Sequence, residues 1–414
     1  MTTNNKNIDK QGKKLLNVPN LRFPEFKGEW ERYKVSDLLD FYSTNSLSWE
    51  QLEYDTDQMF NLHYGLIHVG LPTSLNLNKE KLPNIKKEFH PKKYELCKEG
   101  DIAFADASED TNDVAKAIEF TTLGNKQVVC GLHTIHGRDN HNITVVGFKG
   151  YAFSSPTFHN QIKKIAQGTK IYSISSKNFS ECFIGIPSKE EQSKISRLFA
   201  LIDERIETQN RIIEDLKQLR SAIVESLYKQ DNINNKLGNY IEQSSTRCHD
   251  NNDFQVLSVN NRLGFIEQSE QFENRTVASE DTSNYKVVMQ NDFAYNPARI
   301  NVGSIARLTS FEKGIVSPMY ICFHTKQQLL PEYLEPFFYT HYFYNEMQKR
   351  LEGSVRLCLS WEGLCNIPIT IPSMDEQKKI SRQITTLCSK ITLEEQHIEL
   401  LKQQKQYLLQ QMFI

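Results

Sequence analysis

The stretch IPSKEEQSKISRLFALIDERIETQNRIIEDLKQLRSAIVESLYKQD, residues 186–231, decides the fold because the chain repeats it. The second copy, IPSMDEQKKISRQITTLCSKITLEEQHIELLKQQKQYLLQQMFI, occupies residues 371–414. A shift of 185 positions superimposes the copies without a gap and carries Pro187 to Pro372. An internal repeat of this kind indicates a duplicated architecture.

Each copy predicts a long helix that starts with a capping box. Ser188 is followed by Glu191, and Ser373 by Glu376, at the spacing in which two side chains satisfy backbone donors at a helix start. Heptad-spaced apolar residues follow: Ile195, Phe199, Ile202, Ile206, Ile213, Leu216, Ile223 and Leu227 in the first copy, and Ile380, Ile384, Leu387, Ile391, Ile398, Leu401, Leu408 and Met412 in the second. This pattern favours a coiled coil, although one buried helix in each of two globular domains is the alternative.

Polar residues interrupt this apolar seam and suggest a register. An antiparallel pair could place Arg220 opposite Glu394 and Gln209 opposite Lys405, so that polar residues meet polar residues. A register slipped by a heptad is the alternative. Helices paired in this way would relate the two halves of the protein by an approximate two-fold axis.

Composition is that of a multidomain globular protein. The chain has 414 residues and a net charge of -2, which suggests two or three domains and does not announce a nucleic-acid binder. No run of about 18 apolar residues is present, and residues 1–14 are polar, so we expect a cytoplasmic protein without membrane contact. The eight cysteines form no CxxC pair, and the histidines at 133, 136 and 141 are a weak metal signal, so no metal is expected.

Between the repeated helices lie two regions that match more weakly. YKVSDLL at residues 33–39 resembles NKLGNYI at residues 235–241, and residues 96–104 align with 287–295. Each region is predicted to be a mixed α/β domain with short strands. Residues up to 17 are predicted to be disordered, and the aromatic segment 18–30 to lie on the first domain. The predicted divisions are an extension (1–29), a first domain (30–187), a helix (188–231), a second domain (232–372) and a terminal helix (373–414).

In this arrangement the chain resembles the specificity subunits of type I restriction-modification systems. The resemblance covers essentially the whole chain and rests on the doubled Ile-Pro-Ser-x-x-Glu-Gln helix entry, with support from residues 106–110 and 293–304. It implies two target recognition domains that each read one half of a split, asymmetric site in double-stranded DNA. It also implies docking of two methyltransferase subunits and, in the full complex, two motor-nuclease subunits. S-adenosylmethionine, ATP and Mg would belong to those partners, and this chain would hold no cofactor.

The long helices would act as a ruler. About 40 residues at ~1.5 Å per residue span roughly 60 Å, or at most about 17 base pairs at ~3.4 Å each.

Candidate DNA contacts are basic and polar residues, because cations bind phosphates and polar groups read base edges. They are Lys163, Lys164 and Lys170 in the first domain, and Arg275, Arg299, Asn301, Lys349, Arg350 and Arg356 in the second. Each could instead be a solvated surface residue. The candidate partner contacts are Glu191, Gln192, Glu376 and Gln377, which occupy equivalent places in the repeat and could instead only stabilise the helix starts.

Two other classes of function remain as alternatives. A duplicated protein-protein adaptor would fit the near-neutral charge. An enzyme fits less well: Asn296-Pro297-Ala298-Arg299 lacks the second proline and the aromatic ring of the adenine methyltransferase motif, and no GxxxxGK[ST] phosphate loop occurs. No catalytic residue is predicted.

Overall fold

The computed structural model describes residues 17–56, 58–228, 235–248, 254–261, 263–268, 282–354 and 356–414. The disorder predicted for the first residues lies, up to residue 16, outside this range. The chain divides into two compact units, Met1–Asn210 with His397–Ile414, and Arg211–Gln396. Each unit therefore contains one domain and a part of both repeated stretches.

The first unit is built from short strands and short helices. Its strands are β1 (Glu31–Lys34), β2 (Asp40–Tyr42), β3 (Leu52–Glu53), β4 (Phe60–Leu62), β5 (Ser74–Asn76), β6 (Asn84–Ile85), β7 (Ile102–Ala105), β8 (Ala107–Ser108), β9 (Ala117–Thr122), β10 (Val128–Cys130), β11 (Thr134–Arg138), β12 (Tyr172–Ser173) and β13 (Phe183–Ile186). Its short helices are α1 (Val35–Leu38), α2 (Tyr64–Val69), α3 (Phe148–Phe153), α4 (Pro156–Ile165) and α5 (Ser176–Ser180).

Two sheets carry the core of this unit. One has the strand order β2-β11-β7-β9-β5 and the other β10-β4-β6-β3. All four residues of β7, IAFA, are buried, as expected for a strand covered on both faces. A two-stranded ribbon of β1 and β13 closes the domain where the chain enters the first long helix.

The second unit repeats this plan with different loops. Its strands are β14 (Asn235–Lys236), β15 (Ile241–Ser244), β16 (Val256–Asn260), β17 (Gly264–Glu267), β18 (Lys286–Met289), β19 (Phe293–Tyr295), β20 (Ile305–Arg307), β21 (Lys313–Val316), β22 (Ile321–Thr325), β23 (Leu351–Glu352), β24 (Cys358–Leu359) and β25 (Pro368–Ile369). Its short helices are α7 (Pro331–Phe337), α8 (His341–Gln348) and α9 (Trp361–Cys365). The sheets run β15-β22-β19-β20 and β17-β16-β21-β18, and β14 pairs with β25 as β1 does with β13.

Matching turns confirm the weak alignment between the domains. In the first unit the Asp101 carboxylate accepts a hydrogen bond from the backbone N–H of Lys98 at 2.9 Å. In the second, Asp292 accepts one from Met289 at the same distance. The segments aligned at 96–104 and 287–295 therefore fold alike, each turning into a buried strand.

The repeated stretches form the helices α6 (Lys189–Leu227) and α10 (Met374–Gln411). In the first unit Phe199 of α6 contacts Phe413 just after α10, with ring centroids 5.8 Å apart, while Asp203 contacts Lys405. The two helices therefore run antiparallel there. In the second unit Lys217 and Glu395 form an ion pair at 2.7 Å. The predicted mixed α/β fold with two long antiparallel helices is confirmed.

The register predicted from polar seam residues stays a prediction. Lys217 and Glu395, which form an ion pair, each directly follow a predicted seam position, Leu216 and Glu394, as that register would place them. Lys405 reaches Asp203, six positions from its predicted partner Gln209, and Glu394 forms an ion pair with Lys390 of its own helix.

Equivalent aromatic residues anchor the ends of the two long helices. Phe413, just after α10, lies in the core of the first unit, where its ring is 5.8 Å from that of Phe148. The repeat-equivalent pair in the second unit is Tyr228 with Tyr333, at 4.9 Å. Burying a large apolar side chain contributes about 1.5–3 kcal/mol, whereas an exposed ion pair contributes about 0–1 kcal/mol. Core packing is therefore the larger contribution at these helix ends.

The aromatic segment at residues 18–30 lies on the first unit, as predicted. The backbone N–H of Leu21 donates to the carbonyl of Gln411 at 2.9 Å, and the Trp30 ring contacts that of Phe413 at 6.2 Å. Across the part of the chain that the structure describes, no helix combines the length and apolarity needed to span a bilayer.

Candidate nucleic-acid interface

A buried glutamine closes the start of α6. The Oε1 atom of Gln192 accepts a hydrogen bond from the backbone N–H of Val145 at 2.8 Å. Its Nε2 donates to the carbonyls of Ile143 at 3.1 Å and Pro187 at 2.9 Å. The side chain thus ties the helix start to the loop before α3, and we call this arrangement the glutamine clamp.

The second unit has the same clamp 185 positions further on. Gln377 accepts from the backbone N–H of Leu330 at 2.9 Å and donates to the carbonyls of Gln328 at 2.9 Å and Pro372 at 3.0 Å. Both glutamines are only 1% exposed. Their predicted role as partner contacts is therefore replaced by an internal one, because neither side chain reaches the surface.

The predicted capping boxes are only half formed in the first unit. Ser188 Oγ accepts from the backbone N–H of Glu191 at 3.3 Å, as a capping residue should. The Glu191 carboxylate, however, is 1% exposed and is held by the Arg22 guanidinium through two bonds of 2.7 Å. Ser373 caps α10 in the same way as Ser188 caps α6. Of the four predicted partner contacts, Glu376 is exposed, and for it docking stays a prediction.

A tight glycine turn follows α4 in the first unit. Backbone hydrogen bonds of 3.0 and 2.8 Å link Gln167 and Ser173 in both directions. Gly168 has φ +142°, and a Cβ there would lie 1.9 Å from the carbonyl oxygen of Ile171, so glycine is required. The turn presents Lys170 and Ile171 to solvent.

The second unit repeats this glycine turn between β23 and β24, where Glu352 pairs with Cys358. Gly353 has φ +120°, and a Cβ there would lie 2.3 Å from the carbonyl oxygen of Arg356. Arg356 and Leu357 are exposed beside it. Each unit therefore projects an equivalent glycine turn with a cation next to an apolar side chain, and the cations differ in position by one residue.

In the second unit the glycine turn borders a basic cleft. The backbone N–H of Leu359 donates to the carbonyl of Pro297 at 3.0 Å, which joins the turn to the loop after β19. A cleft of about 740 Å³ is lined by Asn296, Pro297, Ala298, Arg299, Met319, Arg356 and Cys358. The fold thus brings two predicted DNA contacts, Arg299 and Arg356, to one cleft, and Asn301, two positions after Arg299, is exposed.

In the first unit the glycine turn lies against an acidic segment. Tyr172 and Ser173 pair with Ser108 and Ala107, so the turn is joined to the loop 106–113. This loop contains Asp106, Glu109, Asp110 and Asp113. These acidic side chains would repel the phosphates of DNA, whereas the arginines of the second unit would attract them. The two units therefore present equivalent turns on surfaces of different charge.

A cluster of rings that no sequence pattern indicates lies beside this acidic loop. Trp49 contacts His63 with ring centroids 4.5 Å apart, His63 contacts Tyr64 at 4.8 Å, and Tyr64 contacts His133 at 5.1 Å. Burial and the nearby His133 lower the pKa of His63. Trp49 is 46% exposed and offers a flat apolar face of the kind on which bases stack. Only the fold brings these distant positions together, and no sequence spacing announced them.

Of the other predicted DNA contacts in the second unit, the described ones do not line this cleft. Lys163 and Lys164 are exposed in the last turn of α4. Lys349 and Arg350 follow α8, and both form ion pairs with Glu346, that of Arg350 at 2.7 Å. Arg275 lies outside the described residues. DNA contact by all nine candidates stays a prediction.

The fold and these surfaces define a duplicated recognition protein: two α/β domains of one plan, each packed on segments of two long helices and each projecting an equivalent turn. The chain belongs to the family of the type I restriction modification DNA specificity domain, whose model matches residues 79–218 and 298–403, more than half of its length. The predicted specificity-subunit identity is confirmed by this match.

Two solved structures share the fold. The S subunit of a type I restriction-modification system from M. genitalium is 15% identical, with 96% of this chain and 99% of that chain covered and a TM-score of 0.54. A chain from a structure that addresses complex assembly and conformational transition of the type I R-M system is 13% identical, with coverages of 92% and 96% and a TM-score of 0.58. A comparison with curated proteins found no match.

Proposed function

We propose that this specificity subunit reads a split, asymmetric site in duplex DNA, with each unit reading one half. The observation that carries the proposal is the repeated glycine turn, which rests on a basic cleft in the second unit and on an acidic loop in the first. Equivalent turns held on unlike surfaces fit half-sites of different sequence.

The second unit would bind the backbone mainly through cations. Arg299 and Arg356 line one cleft, and an arginine there can hold a phosphate or pair with a guanine edge through two hydrogen bonds. The first unit would depend more on stacking and on polar edges, because Trp49 is exposed while the loop at 106–113 is acidic.

The chain itself would be non-catalytic. Two methyltransferase subunits would dock on repeat-equivalent faces of the long helices, where Glu376 is one exposed candidate, and two motor-nuclease subunits would complete the restriction complex. Those partners would bind S-adenosylmethionine, ATP and Mg. The complex would be located in the cytoplasm.

A domain exchange tests this proposal. Residues 236–372 are replaced by the equivalent region of another specificity subunit, the chain is assembled with its methyltransferase subunits, and methylated adenines are mapped in genomic DNA. We expect one half of the target to change and the other to stay. The reciprocal exchange of residues 30–187 is the matched control and should change the other half. A change in both halves from a single exchange would refute modular reading.

A further inference from the structure

Three potential metal ligands meet in the interior of the first unit. Cys97, Cys130 and His136 are each at most 5% exposed, and one ligand atom from each lies within 4.8 Å of the others. The two Sγ atoms are 3.6 Å apart. They come from three separate places in the chain: the loop before β7, the end of β10 and the middle of β11. For this reason no CxxC spacing marks them in the sequence.

The two ring nitrogens of His136 are in different situations. Nε2 is 2.7 Å from Oδ2 of Asp101, whereas Nδ1 is buried and has no hydrogen-bond partner among the described residues. A buried polar atom without a hydrogen-bond partner carries an energetic cost. A ligand at Nδ1 would remove this cost.

The carboxylate behind His136 is firmly positioned. Asp101 receives 2.8 Å hydrogen bonds from both Nε and Nη2 of Arg138, in addition to the bond from the backbone of Lys98. A histidine that binds a metal through one nitrogen commonly donates its other N–H to a carboxylate, which sets the ring orientation. Asp101 and His136 already have this arrangement.

The charge balance of the cluster selects a divalent ion. Cysteines bind metals as thiolates, so two of them would offset the charge of a divalent cation, while Asp101 is offset by Arg138. An occupied site would then add no net charge to the interior, where an unbalanced charge is costly. Two sulfur ligands and one imidazole suit Zn²⁺ in particular.

We propose that Cys97, Cys130 and His136 bind one Zn²⁺ ion, with Asp101 orienting the imidazole. The ion would link β10 of one sheet to β11 of the other. The short connection between these strands carries His133, which contacts Tyr64 in the ring cluster beside the acidic loop. The bound ion would therefore hold part of the candidate interface in place. The proposal differs from the expectation from sequence that the chain holds no metal.

The test uses the purified full-length chain, stripped of metal under reducing conditions and titrated with Co²⁺, whose thiolate charge-transfer and tetrahedral d–d bands report the ligands directly. We expect saturation at one equivalent and displacement of Co²⁺ by Zn²⁺. Cys130→Ser should lose the charge-transfer band. Cys182→Ser replaces another buried cysteine of the same unit and should keep the band. Asp101→Asn should weaken affinity about 10–100-fold without changing the stoichiometry.

Two results would overturn the proposal. One is a wild-type chain that shows no thiolate charge transfer, an outcome that does not depend on whether any variant folds. The other is a disulfide between Cys97 and Cys130 in the chain as isolated from cells, detected by alkylation under non-reducing conditions and mass spectrometry. Neither result bears on split-site reading, which the domain exchange tests separately.

Discussion

The glutamine clamp makes a quantitative prediction. Gln192→Ala removes three hydrogen bonds, to Val145, Ile143 and Pro187, from a site that is 1% exposed. At about 1 kcal/mol net for each bond, the local structure should lose about 3 kcal/mol. Since every 1.4 kcal/mol is a factor of ten, opening of the loop before α3 should become about 100-fold more frequent.

Hydrogen exchange measured by mass spectrometry reads this effect locally, which matters because a protein of two units need not unfold in one step. In Gln192→Ala, peptides covering residues 143–147 should exchange about 100-fold faster, and those covering 328–332 should be unchanged. Gln377→Ala should give the reverse pattern. Gln406→Ala, at an exposed position of α10, should affect neither segment.

The opposite result would refute the clamp. If Gln192→Ala and Gln377→Ala leave both segments protected but abolish association with the methyltransferase subunit, the glutamines are partner contacts and the internal role is wrong.

Three further predictions concern the ion pair of Arg22 with Glu191, the glycine turn of the second unit and the basic cleft beside it. Arg22→Ala leaves the buried Glu191 carboxylate without its cation and should lower the free energy of unfolding of the first unit by about 3 kcal/mol; an unchanged urea midpoint would contradict this. Gly353→Ala places a Cβ 2.3 Å from a carbonyl oxygen and should reduce methylation of target sites by the assembled complex while far-UV circular dichroism stays the same; full methylation would remove the turn from the interface. Arg299→Ala should reduce the slope of the logarithm of the DNA-binding constant against the logarithm of salt concentration by about 0.9, which corresponds to the loss of one phosphate contact. The control Lys379→Ala, at an exposed position of α10, should leave the slope unchanged. Equal slopes for both variants would exclude Arg299 as a phosphate contact.

Much of the fold could be predicted from the sequence because the informative signals are local. Ser188 and Ser373 cap the long helices as their spacing predicts, and the heptad pattern marks the buried face. The turns at Asp101 and Asp292 also follow from short aligned segments. Each of these features depends on residues within a few positions of one another, so periodicity and capping rules suffice.

The candidate sites were less accessible to sequence reasoning because they are assembled from distant positions. Arg299 and Arg356 were identified as cations but not as neighbours in one cleft. The rings from Trp49 to His133 and the cluster of Cys97, Cys130 and His136 gave no spacing signal at all. Such groups meet only where strands from different parts of a sheet lie side by side.

The sequence by itself determined that the protein is duplicated, that each half ends in a long amphipathic helix, and that the pattern is that of a type I specificity subunit. Tertiary structure alone decided where the end of the chain is buried and what the two repeated glutamines do. Phe413 lies in the core of the first unit, and Gln192 and Gln377 face inward because backbone groups of a neighbouring loop need their hydrogen bonds. Both outcomes are set by partners far away in the chain, and a pattern along one helix contains no information about them.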